Sequence, residues 1–591
     1  MTRLLKRMRR QEALMALLCA VLVAAQVYFD LRLPDYMTQL TKLIKIPGSE
    51  TADILNVGLQ MLGCTLASAL LAVACGFLAA KTASGFSFTV REKLFHQVMN
   101  VGSEEMHGFS VPSLITRTTN DITQIQMIVA MGLQMIIKAP IMAVWAVIKI
   151  LGKSWELSAV TAGFVVVICS TVVAVMVTCL PRFRLVQKMT DQINRVAREN
   201  LTGINVVHAF NAEQYQNEKF DVPSKKMLHL QLKNQRLFAL IQPMMGLGMN
   251  GLALAVYWVG AALVESISLG DPAARLTMFT NVLVFSSYAT YVVMSFMMLV
   301  MIFMLFPQAQ VSAERINEVL DTQAHIKEGK KTECPQAGTV EFRDVSFRYP
   351  NAAEDGLEHI SFKVEKGQTM AIIGATGSGK TTLVSLIPRF YDATQGEVLV
   401  DGVNVKELSF DALYDKLGYV TQKAVLFSGT VRDNIFFGRS AQPETEDTLS
   451  QALSLSQAAE FVGKYAEKAA HPIAQLGRNV SGGQKQRLCI ARALLKKPKV
   501  LIFDDSTSAV DTATEAKIRS ALAQLGGMTK IIIAQRISSV MNTDKIVILE
   551  DGRIHAVGSH AELLASDPIY QEIYASQMKG GEPDGDAAEE R

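Results

Sequence analysis

The sequence predicts a membrane α-helical domain of six spans, joined in one chain to an α/β domain that carries a phosphate-binding loop. Three observations predict it. Apolar stretches long enough to cross a bilayer recur up to about Pro307 and then stop. Beyond that point the apolar runs are short, β-rich and separated by helix-patterned segments, which is the pattern of an α/β core. One of those runs, Ala371-Ile372-Ile373, leads straight into a glycine-rich loop and then a helical pattern. The composition agrees: in 591 residues a hydrophobic fraction of 49% is high for a soluble protein, yet 19% are charged, so a membrane part and a water-facing part share the chain.

A hydrocarbon core of roughly 30 Å needs about 20 helical residues. Six stretches qualify, approximately Ala13 to Phe29, Ile54 to Ala80, Gln134 to Leu151, Leu157 to Leu180, Phe238 to Val264 and Leu276 to Phe306. Each must be helical, because lipid cannot satisfy exposed backbone groups. Orientation follows from the cations. Arg3, Lys6, Arg7, Arg9 and Arg10 precede the first span, and the second-to-third and fourth-to-fifth connections are rich in Lys and Arg, which puts these segments on the cytoplasmic side. Six crossings then leave both termini in the cytoplasm. No small-residue cleavage site follows the first span, so it is not expected to be a cleaved signal.

The two basic connections are helix-patterned over tens of residues, so the helices are expected to run on beyond the bilayer. Turn-forming residues interrupt them at Met106 to Ser113 and at Glu199 to Val207. The domain reading is a short N-terminal segment (1–10), a membrane domain (11–310), a polar linker (311–338), a soluble domain (339–578) and an acidic, disordered tail (579–591). The seven cysteines form no CxxC pair, and no metal cluster or disulfide framework is suggested. Lys138, within the third span, is expected to snorkel toward the inner face, with an anionic group as its alternative partner.

The chemistry sits in the soluble domain. Gly374-Ala375-Thr376-Gly377-Ser378-Gly379-Lys380-Thr381 follows a strand and opens a helix with Thr382, the order a phosphate loop requires. Its glycines let successive N–H groups face phosphate oxygens, Lys380 reaches the β and γ phosphates, and Thr381 offers a hydroxyl to Mg2+. Asp504 ends an apolar strand and is placed to hold Mg2+ through water. Ser481-Gly482-Gly483-Gln484-Lys485-Gln486-Arg487 supplies a second anion cradle, which suggests two copies sandwiching nucleotide.

With that segment the chain resembles a half-transporter of the ATP-binding-cassette exporter family, from the first span to about Met578. The resemblance implies a six-span exporter domain followed by an α/β nucleotide-binding domain, with ATP and Mg2+ as cofactors. It implies that Tyr349 stacks on adenine, that Gln422 links Mg2+ to the membrane domain, and that Ser508-Ala509-Val510-Asp511 signals between sites. It makes the interruptions near Gly108 and Gly203 coupling helices. Ser481, Gly482, Gly483 and Gln484 match the family signature.

Two residues depart from the family pattern. Asp505 stands where a glutamate usually serves as base on the attacking water, and Gln535 stands where a switch histidine is usual. Aspartate is one methylene shorter, a withdrawal of about 1.5 Å, and misplacement on the order of 1 Å can cost about a hundredfold in rate. Glutamine can hydrogen-bond a phosphate but cannot take up a proton near neutral pH. Gln475 also departs, since many exporters have glutamate there.

Binding is therefore expected to survive and turnover to fail. In a sandwich dimer this points to a heterodimer: this chain forms a slow site, and its intact signature completes the site of a partner half-transporter bearing Glu and His. The resemblance to asymmetric multidrug exporters implies a bacterial inner-membrane location and no nucleic-acid partner. Methionines and aromatics crowding the fifth and sixth spans suit small hydrophobic or amphipathic substrates. Export of a peptide or a redox or heme compound, and ATP-gated regulation without transport, remain as alternatives.

Asp505→Glu alone is expected to recover less than about a tenth of normal Mg-ATPase turnover, because Gln535 still cannot move a proton. Full turnover from that single change, measured on purified protein, would refute the second defect.

Overall fold

The computed structural model describes residues 1–45, 50–151, 154–267, 271–333, 338–350, 352–438, 442–507 and 510–579. The chain divides into two compact units, one of residues 1–99 and 111–322, the other of 100–110 and 323 onward. The expected signalling residues Ser508 and Ala509, and the tail from 580, lie outside the described residues.

The first unit is built on six long helices, Arg10–Lys45, Thr51–Asn100, Ile122–Leu151, Trp155–Thr202, Glu213–Glu265 and Pro272–Asp321. Each contains a stretch long and apolar enough to span a membrane. At 1.5 Å per residue, the 53-residue helix is roughly 80 Å long, far beyond the hydrocarbon core, as the polar helical connections predict. Ser154 caps the fourth helix by accepting from Leu157 N, and Asp271, followed by Pro272, caps the sixth by accepting from Ala274 N. Short helices stand at both predicted interruptions, Ser103–His107 next to Gly108 and Ile204–Ala209 after Gly203. The first of these belongs to the second unit, where Glu105 Oε1 accepts from His325 N at 2.6 Å.

Two corrections arise here. The segment read as a linker from 311 begins as helix, which ends only at Asp321. Ala309, Ala313, Ile316 and Val319 recur at helical spacing and are buried, whereas the polar residues that suggested a linker, among them Lys327, Lys330 and Lys331, all follow the end of this helix. Lys138 does not simply snorkel: its Nζ lies 3.1 Å from Asp30 Oδ2, and Ser68 Oγ donates to the other oxygen of the same carboxylate. A second pair, Lys149 with Asp35 at 2.7 Å, again ties the third span to the first, and the Tyr288 hydroxyl reaches Asp35 Oδ1 at 2.7 Å from the sixth. Charges so placed inside helices satisfy one another rather than facing lipid.

In the second unit, the six-stranded sheet has the order Arg553–Gly558, Lys545–Glu550, Thr369–Ile373, Thr529–Ile533, Val500–Asp504 and Leu417–Val420. All neighbours are parallel except the edge pair of Lys545–Glu550 with Arg553–Gly558. Val500–Asp504 is buried at every position, as a central parallel strand covered on both faces should be. A four-stranded antiparallel sheet, Leu357–Val364, Val340–Phe347, Gln395–Val400 and Val403–Asn404, packs its apolar face into the same core. The register aligns Ile533 with Ile372 and with Asp504, and Val420 with Phe503. The carboxyl ends of four strands therefore release their loops at one edge, where open α/β sheets bind ligands.

Removing one partner of a shielded ion pair strands the other charge. Lys138→Met is expected to lower the melting temperature in detergent by about 2–4 °C, with part of the loss recovered on adding Asp30→Asn. An unchanged melting temperature would show that the pair does not hold these spans together.

Candidate functional site

The loop after Thr369–Ile373 turns on three glycines with positive φ: Gly374 at 153°, Gly377 at 91° and Gly379 at 94°. A Cβ on Gly374 would lie 2.1 Å from the Leu549 carbonyl oxygen, and one on Gly379 would lie 2.9 Å from that of Gly356. Both positions need glycine for conformation and for space. The loop ends in the short helix Lys380–Ser385. Lys380 Nζ folds over the loop and donates to the carbonyls of Gly374 at 2.9 Å and Ala375 at 2.6 Å, with Ser378 Oγ at 3.4 Å. Burial holds its ammonium below the ordinary lysine value, against the pull of Asp505 and Asp504.

Thr381 Oγ1 donates to Asp504 Oδ1 at 2.8 Å, and the Tyr419 hydroxyl donates to Oδ2 at 3.1 Å. Burial raises the Asp504 carboxyl above its ordinary value, and the two hydroxyls oppose that rise. A hydroxyl and a carboxylate at this spacing are hard oxygen donors of the kind Mg2+ takes, alongside waters and phosphate. Sequence reasoning missed Tyr419. Its strand pairs Tyr419 with Ile502, so its side chain emerges on the face that carries Asp504, which becomes visible only once the register is known.

Asp505 follows at φ 46°, a left-handed backbone that non-glycine residues rarely take and that is common at functional sites. Its N–H donates to the Ile533 carbonyl at 3.2 Å, which ties the turn to the neighbouring strand end. Two amides converge on its Oδ2, Gln535 Nε2 at 2.7 Å and Gln422 Nε2 at 3.3 Å. Thr376, Gly377, Gly379, Lys380, Gln422 and Gln535 line one cleft of about 280 Å³, with Asp505 in its wall.

Gln535 is held from behind. Gln577, on the C-terminal helix Pro568–Lys579, donates Nε2 to the Gln535 carbonyl at 2.8 Å and accepts from Ile537 N at 2.7 Å. No local signal ties Gln577 to a loop 42 residues earlier. Tyr349 stands at the other flank, its hydroxyl 2.9 Å from Thr382 Oγ1 and its ring edge-on to Phe347 and Tyr391. The ring is partly exposed and so offers a surface for a planar base.

Ser481 is the N-cap of the helix Gly482–Leu495. Ser481 Oγ accepts from Gln484 N at 3.3 Å, and Gln484 Oε1 accepts from Ser481 N at 2.9 Å, a reciprocal capping box. Among the described residues, the side-chain hydrogen bonds of Ser481 and Gln484 join only these two to each other. Gln475 lies on a short turn where Asn479 bonds the Ala474 N–H and the Pro472 carbonyl.

Known proteins can now be set beside this geometry. A family model described as ABC transporter matches residues 357–508, and one described as ABC transporter transmembrane region matches 14–287. The chain is 35% identical over 574 residues to an uncharacterized ABC transporter ATP-binding protein of Mycobacterium tuberculosis, covering 96% of each chain. The chain belongs to the ABC transporter family. A further relative, named as an ATP-dependent lipid A-core flippase of Aromatoleum aromaticum, is 31% identical, with 85% of this chain and 82% of that one covered. The fold matches that of a structure described as a bacterial Atm1-family ABC exporter with ATP bound, at TM-score 0.79 and 23% identity, covering 96% of this chain and 99% of the other. This ABC transporter is thus a multi-pass membrane protein that joins a transmembrane region and an ATP-binding domain in one chain, with the fold of an ABC exporter.

Gly374→Ala is expected to weaken ATP binding by at least about tenfold, since the loop must move away from Leu549 to admit a methyl group. Titration with a fluorescent ATP analogue tests this, and wild-type affinity would contradict the close approach.

Proposed function

We propose that this ABC transporter is the slow-site subunit of an asymmetric exporter that moves amphipathic, lipid-like or drug-like molecules out of the cytoplasm or the inner leaflet. The observation that carries the reading is the pair of amides on Asp505 Oδ2. A base acting on water needs a carboxylate oxygen open to accept a proton. Here one oxygen already accepts two N–H donors, the side chain is a methylene short, and Gln535 has no titratable group to share the proton. ATP with Mg2+, when bound, supplies the phosphoryl group whose transfer to water powers transport. Toward it, Lys380 and the loop N–H groups hold phosphate oxygens, Thr381 and Asp504 hold the metal, and Tyr349 receives the base.

In a sandwich of two nucleotide-binding domains, the capped helix start at Ser481 faces nucleotide held by the other subunit. The reciprocal cap engages the Ser481 and Gln484 N–H groups, and Gly482 and Gly483, in the first turn, have N–H groups with no acceptor inside the helix. The partner is then a second half-transporter that supplies Glu and His, and both termini of this chain lie in the cytoplasm.

The substrate class rests on the membrane unit. Met244 and Met245 of the fifth helix and Phe164 and Ile168 of the fourth line an apolar cleft of about 120 Å³. Thioethers adapt to varied apolar shapes. The flippase named among the relatives is consistent with an amphipathic cargo.

The test is to purify the chain alone and together with the half-transporter encoded beside it, and to measure Mg-ATPase activity and retained nucleotide. The expected result is robust hydrolysis only in the mixed complex, with one ATP retained per dimer. Robust hydrolysis by this chain alone would sink the proposal.

A further inference from the structure

A second charged cavity lies in the soluble unit, away from the nucleotide cleft. One wall is the face of the helix Thr512–Ala523 formed by Ala516, Arg519, Ser520 and Ala523, at i, i+3, i+4 and i+7. Three of those four side chains are small, which leaves a space of about 370 Å³. The opposite wall is the strand Thr529–Ile533, whose alternate residues Lys530 and Ile532 point at that helix. Thr369 and Lys530 lie at the amino ends of their parallel strands, whereas the nucleotide cleft lies beyond the carboxyl ends, roughly 13 Å along the sheet.

Lys530 is the unusual feature. It is only 6% exposed, and its Nζ makes one hydrogen bond, 3.3 Å to the Leu525 carbonyl. An ammonium has three donors, so two are left toward the cavity. No carboxylate among the described residues lies within ion-pair distance of it. The neighbouring acids are engaged elsewhere: Asp544 accepts from Thr369 N at 2.7 Å, and Glu515 accepts from Ser539 Oγ at 2.5 Å and Thr507 Oγ1 at 3.3 Å. Arg519 contributes a second cation to the same cavity, with one N–H on the Ser538 carbonyl. No acidic side chain lines the space.

Burying a cation without a directly paired carboxylate is costly: burial holds the Lys530 ammonium below its ordinary value, and Asp544, acting from beyond ion-pair distance, opposes that shift without cancelling it. The cost falls if an anion enters. Two cations match a phosphate carrying about −1.5 to −2 charge at neutral pH, and a tetrahedral oxyanion has oxygens enough for the ammonium, the guanidinium and the Ser520 hydroxyl together. We propose that this cavity is an anion site, built on Lys530 and Arg519, for orthophosphate or a phosphate monoester. It does not depend on the slow-site reading.

The test uses the full chain in detergent with its nucleotide cleft filled by Mg-AMP-PNP, titrated with orthophosphate by calorimetry and by thermal unfolding. Saturable binding at one site per chain is expected, weakened by about tenfold or more in Lys530→Met and in Arg519→Gln, since each removes a charge-assisted hydrogen bond. Without phosphate, Lys530→Met is expected to melt higher than wild type, because it removes a buried charge that has no direct ion-pair partner, and its melting point should no longer rise with phosphate. The absence of saturable binding would overturn the proposal. So would equal affinity in Arg519→Gln and wild type, a comparison that stands even if Lys530→Met fails to fold.

Discussion

The parallel register of the central sheet is the constraint on which everything else in the soluble unit depends. Aligning Ile372, Asp504 and Ile533 across three strands means that Ile373, Asp505 and Ala534 stand at the same level, with Gly374 and Gln535 the next residues on their chains. The phosphate loop, the two aspartates and Gln535 are thus brought together by strand pairing, although up to 161 residues separate Gly374 from Gln535 in sequence (535 minus 374). A slip of one residue in Val500–Asp504 would turn Asp504 to the other face and bury the wrong side chain. The complete burial of that strand makes such a slip costly.

Around this frame, polar groups are fixed by short chains of contacts. Asp504 is held by Thr381 from one side and Tyr419 from the other; Asp505 is held by Gln535 and Gln422; and Gln535 is held in turn by Gln577. Each link joins a loop to an element that is itself anchored in the core. The membrane unit follows the same rule with stronger charges, Asp30 with Lys138 and Asp35 with Lys149, because lipid leaves an ionised group no other solvent.

What the sequence revealed was whatever depends on local pattern. The six spans, the glycine loop and the strand before it, the capped start at Ser481 and the breaks at Gly108 and Gly203 are all written in short windows. What it hid was either a long-range partner or a face. Lys138 is 108 residues from Asp30 (138 minus 30), so nothing near it predicts a carboxylate. Tyr419 needed the register, and the helix to Asp321 was obscured by the polar stretch that follows it, whose linker character was read back over its last turns. Lys530 reads as an ordinary strand-edge cation until its burial and the lack of a directly paired carboxylate among the described residues are seen.

The order of the central strands also bears on how the protein is made. Thr369–Ile373 lies between Thr529–Ile533 and Lys545–Glu550, so the strand that launches the phosphate loop emerges 160 residues before its first sheet neighbour (529 minus 369). At about 5–20 residues per second, Met370-Ala371-Ile372-Ile373 waits roughly 10–30 s with both edges unpaired. A short, apolar, β-prone segment left in that state is prone to pair with other chains. The strand order thus leaves the segment that launches the phosphate loop without an intramolecular sheet neighbour for most of the time the soluble unit takes to be made.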